Sequence, residues 1–193
     1  MKHSIFLCFM IVCASCLTNP NDADSKQDSL TAFGTNEITV PNSKKEYTKT
    51  FKEFGFSIKT PCVLEDVSSQ ANGDFEANYG GIINPDDPDN VTAYQIVVIK
   101  IPIGVEDYTE SEKKDLIDQQ LSMRMVNFSN VKRVLFSDNE YIGYVGDTHH
   151  NGLKQRGVMF NKDRYIIALT VMTNSDLDLK FNEFTNSFKV INK

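Results

Sequence analysis

The hydrophobic pattern of this chain changes period twice, and those two switches constrain its fold more than any other feature. Phe54, Phe56 and Ile58 alternate with Gly55, Ser57 and Lys59, the period-2 mark of a half-buried strand, and Pro61 ends the run. Asp74 to Ile83 reads as a second strand, in which Gly80-Gly81 suggests a bulge or a close backbone approach. Beyond the acidic turn NPDDPDN at 84–90, Val91 to Ile103 is β-branched and aromatic, and its stretch YQIVVIKI suits a central strand. The period then becomes helical. Thr109 and Glu112 form a T-x-x-E capping box, and Leu116 or Ile117, Leu121, Arg124 or Met125, and Phe128 follow at helical spacing. The spacing predicts an amphipathic helix over roughly 110–127.

Strand-like patterning returns over Val131–Phe136, Glu140–Asp147, Leu153–Phe160 and Arg164–Thr173, with THHNG and NKDR as turns between the last three. Asn151-Gly152 is a hairpin signal. A second helix closes the pattern, with Ser175 as a candidate cap. Asp176 and Asp178 suit its positive end, and Leu177, Phe181, Phe184 and Phe188 form one apolar stripe. A meander of strands cannot bury its apolar face alone, so the helices must lie on it. The expected fold class is α+β: an antiparallel β-sheet of about six to seven strands covered by two main helices, in a single domain over 47–193.

The order of elements, with the ending RYIIALTVMTNSDLDLKFNEFTNSFKV at 164–190, resembles the Mog1/PsbP-like group. A strand of the type Y-x-I-x-L-x-V is followed after a short gap by a helix ending F-x-x-F-x-x-S-F-K. The opening FGFSIKTP, from Phe54 to Pro61, is similar to that group's first core strand. The resemblance spans roughly residues 50–191 and implies a layered sandwich. Its motifs are mostly packing positions. Members serve as photosystem accessory subunits, as binders of a small GTPase and as bacterial lipoproteins, so the scaffold does not fix a function.

The N-terminus speaks of processing. Lys2 precedes an apolar run from Ser4 to Cys13, about half the ~20 residues a membrane-spanning helix needs. A polar stretch follows at once, which fits a secretory signal over residues 1–15. Ala14-Ser15-Cys16 resembles a bacterial lipobox, with Cys13 standing where that pattern usually has an aliphatic residue. The resemblance implies cleavage between Ser15 and Cys16 and acylation (palmitate among the acyl groups) of the Cys16 thiol. The competing reading is ordinary signal cleavage that leaves Cys16 free in a soluble secreted protein. Residues 16–46 then form the lipidated cysteine and a flexible tether, reaching about 30 Å on average at 5–6 Å × √n. Glu37 to Val40 could add a short strand to it. Leu17 in place of Asp after Cys16 favours the outer membrane of a bacterial envelope over the inner. Asp22 and Asp24 faintly resemble surface-export tags, and linker composition explains them equally well.

Removal of residues 1–15 leaves about 178 residues, and the loss of Lys2 takes the formal charge from −6 to −7. An acidic chain with no basic stripe argues against nucleic acid and against a polybasic contact with lipid. The expected partners are therefore the membrane, through the anchor, and a protein or small ligand. Cys8 and Cys13 leave with the signal and Cys16 is acylated, so Cys62 alone stays in the domain and no internal disulfide forms.

Candidate sites are few. His149-His150 is the one histidine pair, but neighbours on a strand face opposite ways and no H-x₃-H or C-x-x-C spacing accompanies it. Asp86, Asp87, Asp89 and Asn90 offer oxygen ligands suited to Ca²⁺ without the mid-loop Gly and terminal Glu of an EF-hand. Cys62 as a nucleophile lacks an identifiable base, and a lone Cys after a strand is usually a small buried residue. The aromatic set (Phe54, Phe56, Phe160, Tyr165, Phe181, Phe184, Phe188) falls at strand and helix periods and reads as core. Glycine-rich phosphate loops and a G-x-S-x-G elbow are absent from the sequence. The expectation is a non-enzymatic binding or accessory module with no cofactor, and the alternative is a metal-assisted or hydrolase-like envelope enzyme.

Overall fold

The computed structural model describes residues 45–70, 75–101, 109–138, 140–150 and 152–191. The signal segment, Ser15, Cys16, most of the tether with Glu37 to Val40, Asp74, Ile103 and Asn151 lie outside the described residues. In chain order the strands are β1 (Tyr47–Phe51), β2 (Phe56–Thr60), β3 (Glu65–Asp66), β4 (Ala77–Ile83) and β5 (Thr92–Lys100). Helix α1 (Glu110–Arg124) precedes β6 (Ser129–Phe136), β7 (Tyr141–His150), β8 (Leu153–Lys162) and β9 (Tyr165–Thr173), and helix α2 (Leu177–Asn186) and β10 (Lys189–Val190) follow.

Seven strands form one antiparallel sheet in the order β3-β4-β5-β9-β8-β7-β6, and β1-β2-β10 form a second, smaller one. Helix α1 lies on one face of the large sheet, against β7 and β8. Helix α2 and the small sheet cover the other face. The α+β expectation therefore holds, and the small sheet is the addition to it. Two-residue strands such as β3 and β10 carry no periodic pattern of their own and exist through pairing, Lys189 with Ser57 and Val190 with Phe56.

Local chemistry explains most boundaries. The Thr109 side chain accepts from the Glu112 N–H, and the Glu112 carboxylate accepts from the Thr109 N–H at 2.8 Å, completing the capping box. The helix ends at Arg124, short of the expected 127, because Met125 leaves the helical region and its N–H turns back to Ser122. In α2 the cap is Asp176, not Ser175: the Asp176 carboxylate accepts from the Leu179 N–H at 3.0 Å, whereas Ser175 is engaged with Lys180. Phe188 lies beyond the end of α2 yet is buried among the same aromatic rings. The THHNG segment is not all turn. His149 and His150 are the last residues of β7, paired with Lys154 and Leu153 across a two-residue connection ending in Gly152, whose φ of +81° is one that glycine adopts freely.

Gly81 is a close approach rather than a bulge, since a methyl there would sit 2.5 Å from the Val63 carbonyl oxygen and 2.7 Å from Cys62 Sγ. The irregularity of the large sheet is instead in β6, where the register shifts between Ser129 and Lys132.

The larger core lies between the two sheets and α2, with Phe51, Phe56, Ile58, Phe160, Ile167 and Phe184 at its centre. Phe188 meets both Phe56 and Phe160, at 5.2 and 5.1 Å between ring centroids. A smaller core on the opposite face holds Leu121 and Met125 of the α1 region against Met159, Ile166 and Ala168. Gly146 and Gly157 make room there for Phe128: a methyl at Gly146 would fall 2.8 Å from Phe128 Cβ.

Candidate ligand cleft

The two-residue connection at 151–152 fixes the pairing of β7 with β8, which sets Asp147 opposite Arg156 and His149 opposite Lys154. Alternation turns Arg156, Val158 and Phe160 toward α2. There Arg156 Nε donates to Asp147 Oδ1 at 2.6 Å and Nη2 donates to Oδ2 at 3.3 Å, a two-pronged guanidinium–carboxylate pair. Nη1 donates to Asp178 in the first turn of α2. The guanidinium carbon stands 5.7 Å from the centre of the Phe181 ring. Asn130 Nδ2 adds a bond to Asp147 Oδ2 at 3.3 Å, and the Ser129 hydroxyl donates to the Asp147 carbonyl at 3.0 Å. Arg156, hydrogen-bonded to Asp147, holds its carboxyl below the usual carboxylate range, with Asn130 adding to the effect against a smaller opposing push from burial.

Two adjoining concavities, of ≈ 390 Å³ and ≈ 430 Å³, open around this cluster and share Asn130, Asp147 and Arg156. Lys132 lines the first, and His149, Lys154 and the start of α2 line the second. The carboxylates of Asp147 and Asp176 are engaged by Arg156 and by the helix cap, whereas Lys132 and Lys154 have no ion-pair partner among the described residues. Asp178 lines the second concavity as well, so the cleft carries three cationic side chains, Lys132, Lys154 and Arg156, beside three carboxylates, Asp147, Asp176 and Asp178.

Beside the cleft, Lys180 Nζ donates to Thr92 Oγ1 at 2.6 Å, to Thr173 Oγ1 at 3.3 Å and to the Ser175 hydroxyl. The Thr92 and Thr173 hydroxyls are 2.9 Å apart, and Thr173 also donates to the Val91 carbonyl at 3.0 Å. Burial lowers the Lys180 amine below its ordinary value, opposed by Asp176 and Glu183. Three oxygens satisfy the three protons of an ammonium, and the same geometry lets a neutral amine accept the Ser175 proton.

The residues singled out from the sequence are dispersed. His149 is exposed at the end of β7, on the face that carries Asp147 and Lys154. His150 is the next strand residue, and its side chain lies outside what is described. Among the described residues no three His, Cys, Asp or Glu side chains converge to hold a metal ion. In the 84–90 loop the Asp87 carboxylate accepts from the Asp89 and Asn90 N–H groups at 3.1 and 3.2 Å and from Asn90 Nδ2 at 2.8 Å. The Asn90 side chain is the main reason the Asp87 carboxyl lies below its usual range. This is a self-satisfied polar turn, joined to the α2 end of the fold by Asn174 Nδ2 donating to the Pro88 carbonyl at 2.7 Å. Cys62 packs against the large core, and burial pushes its thiol up to about 12, so it is not the thiolate a nucleophile requires.

Sequence reasoning missed Asp147, Arg156, Asp178 and the Lys180 cluster. The first pair was accessible: a two-residue turn at 151–152 puts 147 opposite 156 by counting back along both strands. Asp178 and Lys180 had no such signal, because their contacts depend on where α2 crosses the sheet.

No protein-family model matches the sequence, and no curated protein matches it. Among solved structures, the chain resembles a protein of unknown function from Pseudomonas aeruginosa, PA94, described as a putative regulator, with 14% identity over 72% of this chain and 88% of that one and a TM-score of 0.34. It resembles cyanobacterial PsbP (CyanoP) from Synechocystis sp. PCC 6803 with 11% identity, covering 82% of this chain and 98% of that one at a TM-score of 0.50. That coverage, with seven antiparallel strands, a small second sheet and two helices, makes the domain PsbP-like in fold.

Proposed function

We propose that this chain is a lipid-anchored bacterial envelope protein that acts as a non-enzymatic binding or accessory module, with the Arg156 cleft as its ligand-contacting site. The supporting observation is the pair of concavities that share Asn130, Asp147 and Arg156. A fixed guanidinium in a concave, mixed polar and apolar setting is the kind of group that orients a bound molecule. The lipobox-like sequence supports the anchor on Cys16, and Leu17 favours the outer membrane. Metabolic labelling with an alkyne fatty acid tests the anchor. Incorporation lost in Cys16→Ala supports it; no incorporation, or labelling that Cys16→Ala leaves intact, refutes it and leaves the soluble secreted form. Affinity purification from the native membrane tests the module. A ligand or protein retained by the wild type and lost from Arg156→Ala is the expected result, and equal retention by both argues against the cleft.

The contact between Ser175 and Lys180 favours a second reading, a hydrolase-like enzyme in which Lys180 accepts the Ser175 proton. A fluorophosphonate probe separates the two: covalent labelling of wild type that disappears in Ser175→Ala supports the enzyme, and unlabelled wild type supports the binding module.

A further inference from the structure

Arg156 is fixed on three sides. Asp147 occupies its Nε and Nη2 edge, the Phe181 ring lies 5.7 Å from its Cζ, and Asp178 occupies Nη1. The two carboxylates are not equivalent. The Asp147 side chain is 23% exposed and also accepts from Asn130, whereas the Asp178 side chain is 76% exposed and its ion-pair partner is Arg156. One carboxylate belongs to the floor of the cleft, and the other sits in its mouth. Lys154 lines the same concavity as Asp178 and has no counter-ion among the described residues.

We infer that the cleft binds a carboxylate on the Nη1 side of Arg156, beside Lys154, and that Asp178 is a built-in competitor that holds that position when no ligand is present. The inference rests on the cleft being the ligand site. The group that already sits at Nη1 is a carboxylate, so charge and planar fork geometry suit the ligand class named. A tethered competitor acts at an effective concentration of order millimolar, which excludes weak free carboxylates and admits ligands that gain further contacts in the cleft. If Asp178 holds Arg156 about nine-tenths of the time, apparent ligand affinity falls by about tenfold.

The test is an NMR titration of the ¹⁵N-labelled full chain, following Arg156 Nε–H and the β7 and β8 amides. The probes are acetate, N-acetyl-glycyl-glycine with a free C-terminus, and its C-terminal amide. Asp178→Asn is expected to bind the free-acid dipeptide about tenfold more tightly than wild type. Glu183→Gln, which removes the same charge from α2 outside the cleft, should change affinity less than about twofold, because the difference isolates competition from net charge. Arg156→Lys should lose the interaction while the other resonances report an intact fold, and the amide probe should not bind. Acetate tightening in parallel assigns the site to carboxylates in general, and tightening of the dipeptide alone assigns it to a peptide C-terminus. Equal gains in Asp178→Asn and Glu183→Gln overturn the inference. So does unchanged affinity in Asp178→Asn, although shifts confined to the cleft would then still support it as the ligand site. No shift in any variant overturns the carboxylate assignment, and the Arg156→Ala purification then decides the binding reading separately.

Discussion

Helix α1 and helix α2 lie on opposite faces of one sheet and are held there differently. The longer, α1, is 15 residues with a mostly polar surface; it packs on the sheet through Ile117 and Leu121, with Met125 and Phe128 just beyond its end over the space left by Gly146 and Gly157, and its Asp118 accepts from Arg133 of β6 at 3.2 Å. The shorter, α2, is 10 residues and sinks Phe181 and Phe184 into the aromatic core. Its first turns add charged contacts, Asp178 to Arg156 and Lys180 to the Thr92 and Thr173 hydroxyls. Apolar area determines how firmly a helix is held, and the polar contacts at one end determine where a cleft opens. Helix length predicts neither.

The sharpest break of this contrast is a pair of truncations. Phe184→Ala should lower stability by about 3–5 kcal/mol in urea unfolding, because a buried ring leaves a large cavity among stacked aromatics. Leu121→Ala should cost about 2–3 kcal/mol, toward the low end for its class, since flexible Met125 can move into the space. Equal losses, or a larger loss for Leu121, would break the comparison. Next, Arg156→Met should cost about 1–3 kcal/mol, because it strands the partly buried Asp147 carboxylate and releases Asp178. Amide exchange should rise in the first turn of α2 and stay unchanged in α1; a uniform rise would show that Arg156 supports the whole fold. Thr109→Ala should cost about 1 kcal/mol, with fraying confined to the start of α1. The smallest effect concerns pH. The folded Asp147 carboxyl lies below its unfolded value of about 3.9, so its contribution is present above that value and is lost as pH falls through the lower folded value. Stability curves of wild type and Asp147→Asn should therefore converge below about pH 4. A gap that widens there would reverse the assigned sign.

What the sequence disclosed about these helices follows the same division. The capping box at Thr109 and Glu112 and the hairpin ending in Gly152 are encoded in neighbouring residues, and both appear where expected. The cap of α2 moved by one residue because Ser175 has a more distant partner in Lys180. Helix α1 is shorter than its apolar spacing suggests: Phe128 contributes to the core from the connection to β6, not from the helix. The small sheet was invisible because β1 takes its place only by pairing with β2, and β10 is two residues long. The cleft joins Asn130, Asp147, Arg156 and Asp178, which no local window contains. Its central pair was recoverable from strand register, and its outer members required the packed position of α2.

The pairing of β5 with β9 also sets a kinetic schedule. Thr92 and Thr173 meet across 81 positions of chain, at the middle of the large sheet, whereas β6 to β9 close through short turns. Loop closure of that length slows folding, so the late meander is the natural nucleus and the earlier strands dock onto it. In a chain made from its N-terminus, the apolar run YQIVVIK of β5 emerges long before β9 exists to cover it. Until the last strand and helix have been made, that segment is a β-prone run with an uncovered edge, the kind of surface through which incomplete chains associate.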